Sequence, residues 1–316
     1  MSATTRLQSA AARLRPSGRS WVIGLPYVWL LVFFALPFAI VLKISVSEME
    51  TVHFKDLLRY ADGVVLLALK LSNYEFIAQD PLYLQAYLNS LKYAAATTLG
   101  CLFIGYPFAY FMARSRASLQ PALVMLVMLP FWTSFLLRVY AWKGLLTEQG
   151  WVAQALTGLG VDRLLASAGL IETAGKFMNT PFSLWVGMVY TYLPFMVLPL
   201  YANLSKLDGR LLEAAADLGA TPWVAFWRIT VPLSKAGVIA GSMLVFIPCV
   251  GEFVIPELLG GPQTLMIGRV LWDEFFSNND WPMACAVAVL MILLILVPLA
   301  LFNKYQSQQR DARGSH

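Results

Sequence analysis

The sequence predicts an all-α membrane protein with six transmembrane helices, and three observations lead there. The 316 residues are 59% hydrophobic and 13% charged, with a mean hydropathy of +0.65, whereas a soluble domain is about a quarter charged. Six apolar stretches, 21–43, 88–113, 121–144, 181–204, 236–256 and 282–302, meet or approach the ~20 residues that a bilayer core ~30 Å thick requires. Lys and Arg are also shared unevenly among the segments between them. Stretches this long and this rich in Leu, Val, Ala, Phe and Met are too long for buried strands.

Taken in order, residues 1–20 form a basic N-terminal segment, and 21–43 follows without a small-residue cleavage site. It reads as a retained first helix and not as a removed signal peptide. Residues 46–87 mix charge with apolar clusters such as 64–69, and predict short helices on the outer surface, partly interfacial. A second outer segment, 145–180, is rich in Gly and small residues, with an amphipathic piece over Val152–Leu159. A third, 257–281, carries the turn signals Gly260-Gly261-Pro262 and Asn278-Asn279-Asp280. Residues 303–316 form a C-terminal tail whose end, Arg313–His316, reads as a tag remnant without functional weight. Residues 21–302 thus make one membrane domain. Pro26, Pro37, Pro107, Pro130, Pro194, Pro199, Pro248 and Pro298 fall in the spans. Prolines are common in such helices, and kinks also shape cavities; composition leaves both readings open.

Orientation comes from charge. The segments 1–20, 114–120, 205–235 and 303–316 hold 13 cations and four acids, while the rest of the chain holds 10 cations and 14 acids. Lys and Arg mark cytoplasmic loops, so both termini and the 205–235 loop are expected in the cytoplasm. The pI of about 9.1 therefore reflects topology and does not imply nucleic acid as a partner. Cys101, Cys249 and Cys285 lie in apolar runs without CxxC spacing and read as packing residues. The chain has no G-x-x-x-x-G-K-[ST] loop for ATP, and His53 and His316 are its only histidines. No catalytic residue, metal or cofactor is expected, and energy must come from an ion gradient or a partner.

The 205–235 loop favours a partner. Glu213-Ala214-Ala215 lies in a helix-prone run closed by Gly219, and Thr221-Pro222 reads as the cap and first turn of a second helix bearing Trp223, Phe226 and Trp227. Such a pair offers a compact knob for a groove on another protein. The order Glu213, Ala214, Ala215, then Gly219, Ile229 and Pro232 resembles the coupling loop of ABC-importer permeases; Val231 departs from the family's usual leucine. The stretches 129–142 (LPFWTSFLLRVYAW), 246–262 (FIPCVGEFVIPELLGGP), 266–272 (MIGRVLW) and 279–282 (NDWP) resemble the polyamine subgroup, closest to its putrescine branch. The resemblance covers most of the chain. It implies a type I permease fold in the bacterial inner membrane and an importer for putrescine or spermidine. The implied partners are two copies of an ABC ATPase subunit, a second homologous permease and a periplasmic polyamine-binding protein, besides membrane lipid.

A flexible dication needs carboxylates and aromatic faces along its path. Glu252 and Glu257 lie near the outer end of the fifth span, and an ionisable group there is a site candidate by default. With them come Trp132, Tyr192, Trp272 and Asp273, and further Tyr190, Phe275 and Glu274. The competing account is structural: interfacial aromatic belts, and Glu252 paired with Arg138 or Arg269. Arg138, a cation in the third span, is expected in a structural pair or against the binding protein. Rival functions are a permease of the same architecture for spermidine or another solute, an ion-gradient secondary transporter, and, disfavoured, a membrane enzyme.

Overall fold

The computed structural model describes residues 18–50, 53–54, 58–61, 64–67 and 70–314. Most of the expected N-terminal segment and the last two residues lie outside the described residues. Helices dominate, in two compact units. One comprises the described residues up to Glu75 with Asp280–Val289, the other Phe76–Asn279 with the residues from Leu290 onward.

The first unit opens with α1, in which Gly18–Leu30, a π turn Leu31–Ala35 and Leu36–Ser45 run on without interruption. The wider turn precedes Pro37, which has no N–H for the carbonyl four residues back. The helix ends where Ser45 and Ser47 turn their hydroxyls onto the carbonyls of Leu42 and Lys43, at 2.8 and 2.6 Å. Tyr74 donates to Ser45 Oγ at 2.8 Å. Short helices were the expectation for 46–87, and the first part corrects it. Met49–Glu50 (β1) pairs antiparallel with His53–Phe54 (β2), and Leu58–Ala61 (β3) with Val64–Leu67 (β4). Val64-Val65, β-branched, favours a strand. The expected helix follows as α2, Ser72–Gln79.

In the second unit α3 runs over Pro81–Arg114, capped by Asp80, whose carboxylate accepts the N–H of Leu82 at 2.8 Å. The third apolar stretch is two helices and not one. α4, Gln120–Met128, tightens into a 3-10 turn Leu129–Trp132; α5, Phe135–Leu146, leaves at 88° to it. Pro130 supplies no N–H and Thr133 is extended, so the helical ladder stops there. α6 (Trp151–Gly158) and α7 (Val161–Ser167) gather around a small core of Leu146, Ala153, Ile171 and Phe177. α8, Pro181–Leu204, starts on a reciprocal cap. Thr180 Oγ1 accepts the N–H of Ser183 and Ser183 Oγ accepts that of Thr180. Then come α9 (Arg210–Asp217), α10 (Pro222–Ala225, continued by a π turn Phe226–Thr230 and Val231–Leu233) and α11 (Lys235–Val250), bent 62° from the segment before it. α12 (Val254–Leu259), α13 (Ile267–Trp272, with a π turn Asp273–Ser277) and α14 (Trp281–Gly314, its residues to Val289 counted with the first unit) complete the elements.

The core of this unit lies where α3, α8 and α11 meet, around Cys101, Met112, Met196, Leu200, Val245 and Cys249. All three cysteines are free and buried, as packing residues should be. Gly237 and Gly241, four apart on one face of α11, set its approach to α8. A Cβ on Gly237 would lie 2.7 Å from Asn203 Cβ, and one on Gly241 2.8 Å from Met196 Sδ and 3.1 Å from Met196 O. Small residues at this spacing let two membrane helices touch through their backbones. Gly241→Val is therefore expected to lower stability by about 1–3 kcal/mol, the cost of overpacking, read as a lower melting temperature of the detergent-solubilised protein. An unchanged melting temperature would refute the close contact.

Candidate functional site

Two places carry functional residues, and the sequence builds them differently. The first is the 205–235 knob. Ala215 is buried, while Glu213 and Ala214 are exposed on α9. Gly219 ends the turn at φ +81° with open space around it, a left-handed position that glycine occupies without strain. Leu218 beside it is 89% exposed, an apolar tip on a polar helix. Thr221 caps α10 by accepting the N–H of Val224 at 3.4 Å, and Ile229 and Pro232 fall in the stretch that leads into α11. The local structure matches the expected pair of short helices around Gly219.

The second place is a break in the fifth apolar stretch. A helix was expected to Pro256, but α11 stops at Val250, and Gly251, Glu252 and Phe253 lie between it and α12. Glu252 is 8% exposed. Its Oε1 accepts the N–H groups of Phe253, Val254 and Ile255 at 3.2, 3.1 and 3.5 Å, and its Oε2 accepts the hydroxyl of Tyr192 on α8 at 2.5 Å. One carboxylate thus takes up the amides that the break frees, in surroundings where an unpaired group costs several kcal/mol. Gly268 on α13 sits directly behind it. A Cβ there would come within 2.5 Å of Gly251 O and 2.6 Å of Glu252 O.

Around this break the aromatic rings form two groups. Phe253 lies flat on Trp272 at 4.5 Å and 11°, and Trp272 meets Phe276 at 4.2 Å. On the other side Tyr192 meets Phe195 at 6.0 Å, and Phe195 takes the edge of Phe131 at 5.1 Å. The second group, tied to the break after Val250 by the Tyr192–Glu252 hydrogen bond, reaches the break after Trp132. Arg269 on α13 places Nε 2.7 Å from Glu257 Oε2 and 3.8 Å from Asp273 Oδ2. The closer contact lacks hydrogen-bond alignment and is an ion pair. Glu274 accepts the Tyr83 hydroxyl at 2.7 Å and the Asn278 amide at 2.9 Å.

Of the residues singled out from sequence, the structure joins Glu252 to Tyr192, and Glu257 to Asp273 through Arg269. Trp272 stands beside the break through Phe253. Trp132 is 80% exposed and directs its ring away from the chain's own interior. Arg269 pairs with Glu257, not with Glu252. Arg138 reaches no carboxylate among the described residues. Its guanidinium lies over Phe131 and Phe135 at 5.9 and 6.0 Å, and its buried Nε and Nη1 have no hydrogen-bond partner. Sequence reading missed Phe253, Phe195 and Gly268. The signal for Phe253 was present: Gly251 next to an acid, three residues after Pro248, marks a place where an apolar helix stops.

The sequence profile of the binding-protein-dependent transport system inner membrane component family matches residues 96–309. The chain belongs to that family. Members of it that it resembles include the spermidine/putrescine transport system permease protein PotB of Salmonella typhimurium, 37% identical over 90% of this chain and 94% of the relative. The PotB of Escherichia coli K12 is 37% identical over 87% and 92%. The inner membrane ABC transporter permease protein YdcU of the same organism is 34% identical over 69% and 70%. Among solved structures, a bacterial ABC transporter for the acidic polysaccharide alginate shares the fold, with a TM-score of 0.61 at 17% identity over 92% of this chain and 96% of that one. A second alginate transporter structure, in complex with a periplasmic protein, matches at 0.60 and 19% over 92% and 95%. This family member is an inner-membrane permease of an ABC importer, in the group that holds the polyamine permeases, and it has the type I permease fold.

Removing the carboxylate at the break tests the structural part of this description. Glu252→Ala leaves the amides of residues 253–255 and the Tyr192 hydroxyl unpaired. It is expected to cost about 1.5–3 kcal/mol, the range for hydrogen bonds to charged groups, whereas Glu252→Gln keeps an acceptor oxygen and costs less. Melting temperatures of the two solubilised variants rank them, and the reverse order would exclude the capping role.

Proposed function

We propose that this permease carries a polyamine, putrescine by preference, as one half of a membrane pathway driven by a separate ATPase. The observation that supports it most directly is the 37% identity to a spermidine/putrescine permease along 90% of the chain. The chemistry of the break agrees with such a cargo. Glu257 and Asp273 provide carboxylates, and the Phe253–Trp272–Phe276 rings provide π faces; each such face attracts an ammonium group by ~0.5–2 kcal/mol. In this reading Glu257, Asp273 and Trp272 touch the cation, with Trp132 further along the path. Glu252 and Tyr192 hold the break open in shape, and Glu252 adds negative charge to the path.

The rest of the machine follows the family. Both termini and the 205–235 loop face the cytoplasm, by the excess of Lys and Arg there. Residues 21–302 form the membrane domain between a cytoplasmic N-terminal segment, 1–20, and a cytoplasmic tail, 303–316. Two copies of an ABC ATPase subunit, a second permease and a periplasmic polyamine-binding protein complete the complex. Glu213, Ala214, Ala215, Gly219, Ile229 and Pro232 form the surface through which ATP-driven closure reaches this chain. Rocking of its helices then opens the path alternately to either side.

Uptake by the reconstituted complex tests both halves. Labelled putrescine should enter faster than spermidine at equal concentration, and Glu257→Gln should raise KM about two- to fivefold, equivalent to one lost ion pair of ~0.5–1 kcal/mol at a half-exposed carboxylate. Equal uptake of an uncharged solute of the same length would reject the polyamine reading. Glu213→Arg and Gly219→Asp should each strip the ATPase from the purified complex and abolish uptake; uptake that persists without any ATPase would reject the coupling reading.

A further inference from the structure

We infer that Phe226 is the residue that makes the second span follow the knob, a positioning role that rests on the coupling reading above. Phe226 begins the π turn of α10 and places its ring against two tyrosines of α3. It meets Tyr106 at 5.7 Å and 89°, and Tyr110 at 5.5 Å and 84°, both edge to face. Tyr106 and Tyr110 are four residues apart and share one face of that helix. Trp227 braces Phe226 edge-on at 5.4 Å, and Trp223 lies nearly parallel to it at 6.2 Å. The ring is therefore held from both sides.

The same face of α3 makes two more contacts with this region. One turn before, the Tyr106 hydroxyl pairs with Ser234 Oγ at 2.8 Å. Ser234 is fully buried and stands at the 62° bend between α10's continuation and α11. One turn beyond, Arg114 lies over Tyr110 at 5.7 Å, and its Nη1 is 3.9 Å from where a Cβ of Gly209 would be, at the start of α9. Residues 106, 110 and 114 thus present three successive turns of one helix to the end, middle and beginning of the knob. Edge-to-face rings resist sliding because each pairing has a preferred geometry. A displacement of α9 and α10 consequently drags α3 along instead of slipping past it. The exposed side of the knob, with Glu213 and Leu218, is free of this contact, so docking and transmission use different residues.

The experiment uses the whole complex in proteoliposomes, with labelled putrescine uptake and phosphate release measured together. In Phe226→Ala the ATPase should still co-purify at the ratio found with the unaltered chain, while putrescine carried per ATP hydrolysed falls by about fivefold or more, the population shift expected from losing one such aromatic pair. Phe226→Tyr keeps the edge contacts and should restore the ratio, and Tyr106→Ala with Tyr110→Ala should reproduce the loss from the α3 side. A Phe226→Ala ratio within about twofold of the unaltered complex would overturn the inference. So would loss of the ATPase from that variant, which would make Phe226 a docking residue. If the unaltered complex carries no ATPase, the coupling reading itself fails, and that result is read before any variant is compared.

Discussion

A break between two helices leaves the first N–H groups of the second helix without partners inside that helix, and this permease meets that condition after Val250. The side chain of Glu252 folds back onto the next three N–H groups and leaves its second oxygen to Tyr192 on α8. Because that one carboxylate binds both the start of α12 and the middle of α8, it fixes the spacing between two elements as well as closing the break. The placement of Phe253, and hence of Trp272 and Phe276, follows from it. Gly268 completes the arrangement from behind, since any larger residue would push against the carbonyls of Gly251 and Glu252.

Much of this was legible in the residues. Six apolar stretches, the amphipathic piece at Val152–Leu159, the cap at Thr221 and the left-handed turn at Gly219 each rest on local chemistry, and local chemistry is what a sequence displays. The two breaks were not legible as geometry. Hydropathy measures how apolar a segment is and carries no direction, so 121–144 reads as one span although α5 leaves α4 at 88°. Pro130 marks the first break and Gly251, between Pro248 and Glu252, the second, but proline and glycine occur in unbroken membrane helices too. The pairing of β3 with β4 was obscured differently: Leu and Val clusters suit an interfacial helix as well as a strand.

The candidate path shows the same division. Residue types identified Glu252 and Tyr192 together, yet only the fold reveals that they bind one another and that Arg269 belongs to Glu257 and Asp273. Arg138 illustrates the converse. A cation in an apolar run suggests a carboxylate partner, and the described residues give it two aromatic faces instead. Guanidinium is weakly hydrated and stacks readily, so the rings of Phe131 and Phe135 hold it beside the bend.

The 62° angle at Ser234 has a mechanical meaning of its own. The arm from Pro222 to Leu233 lies more across the axis of α11 than along it. A force along that arm resolves with its larger component perpendicular to the span and only about half of it parallel. The arm is a crank and not a piston. Motion delivered there turns or tilts the span and lifts it little, so the geometry favours changing which side is open over changing how deeply the helix sits.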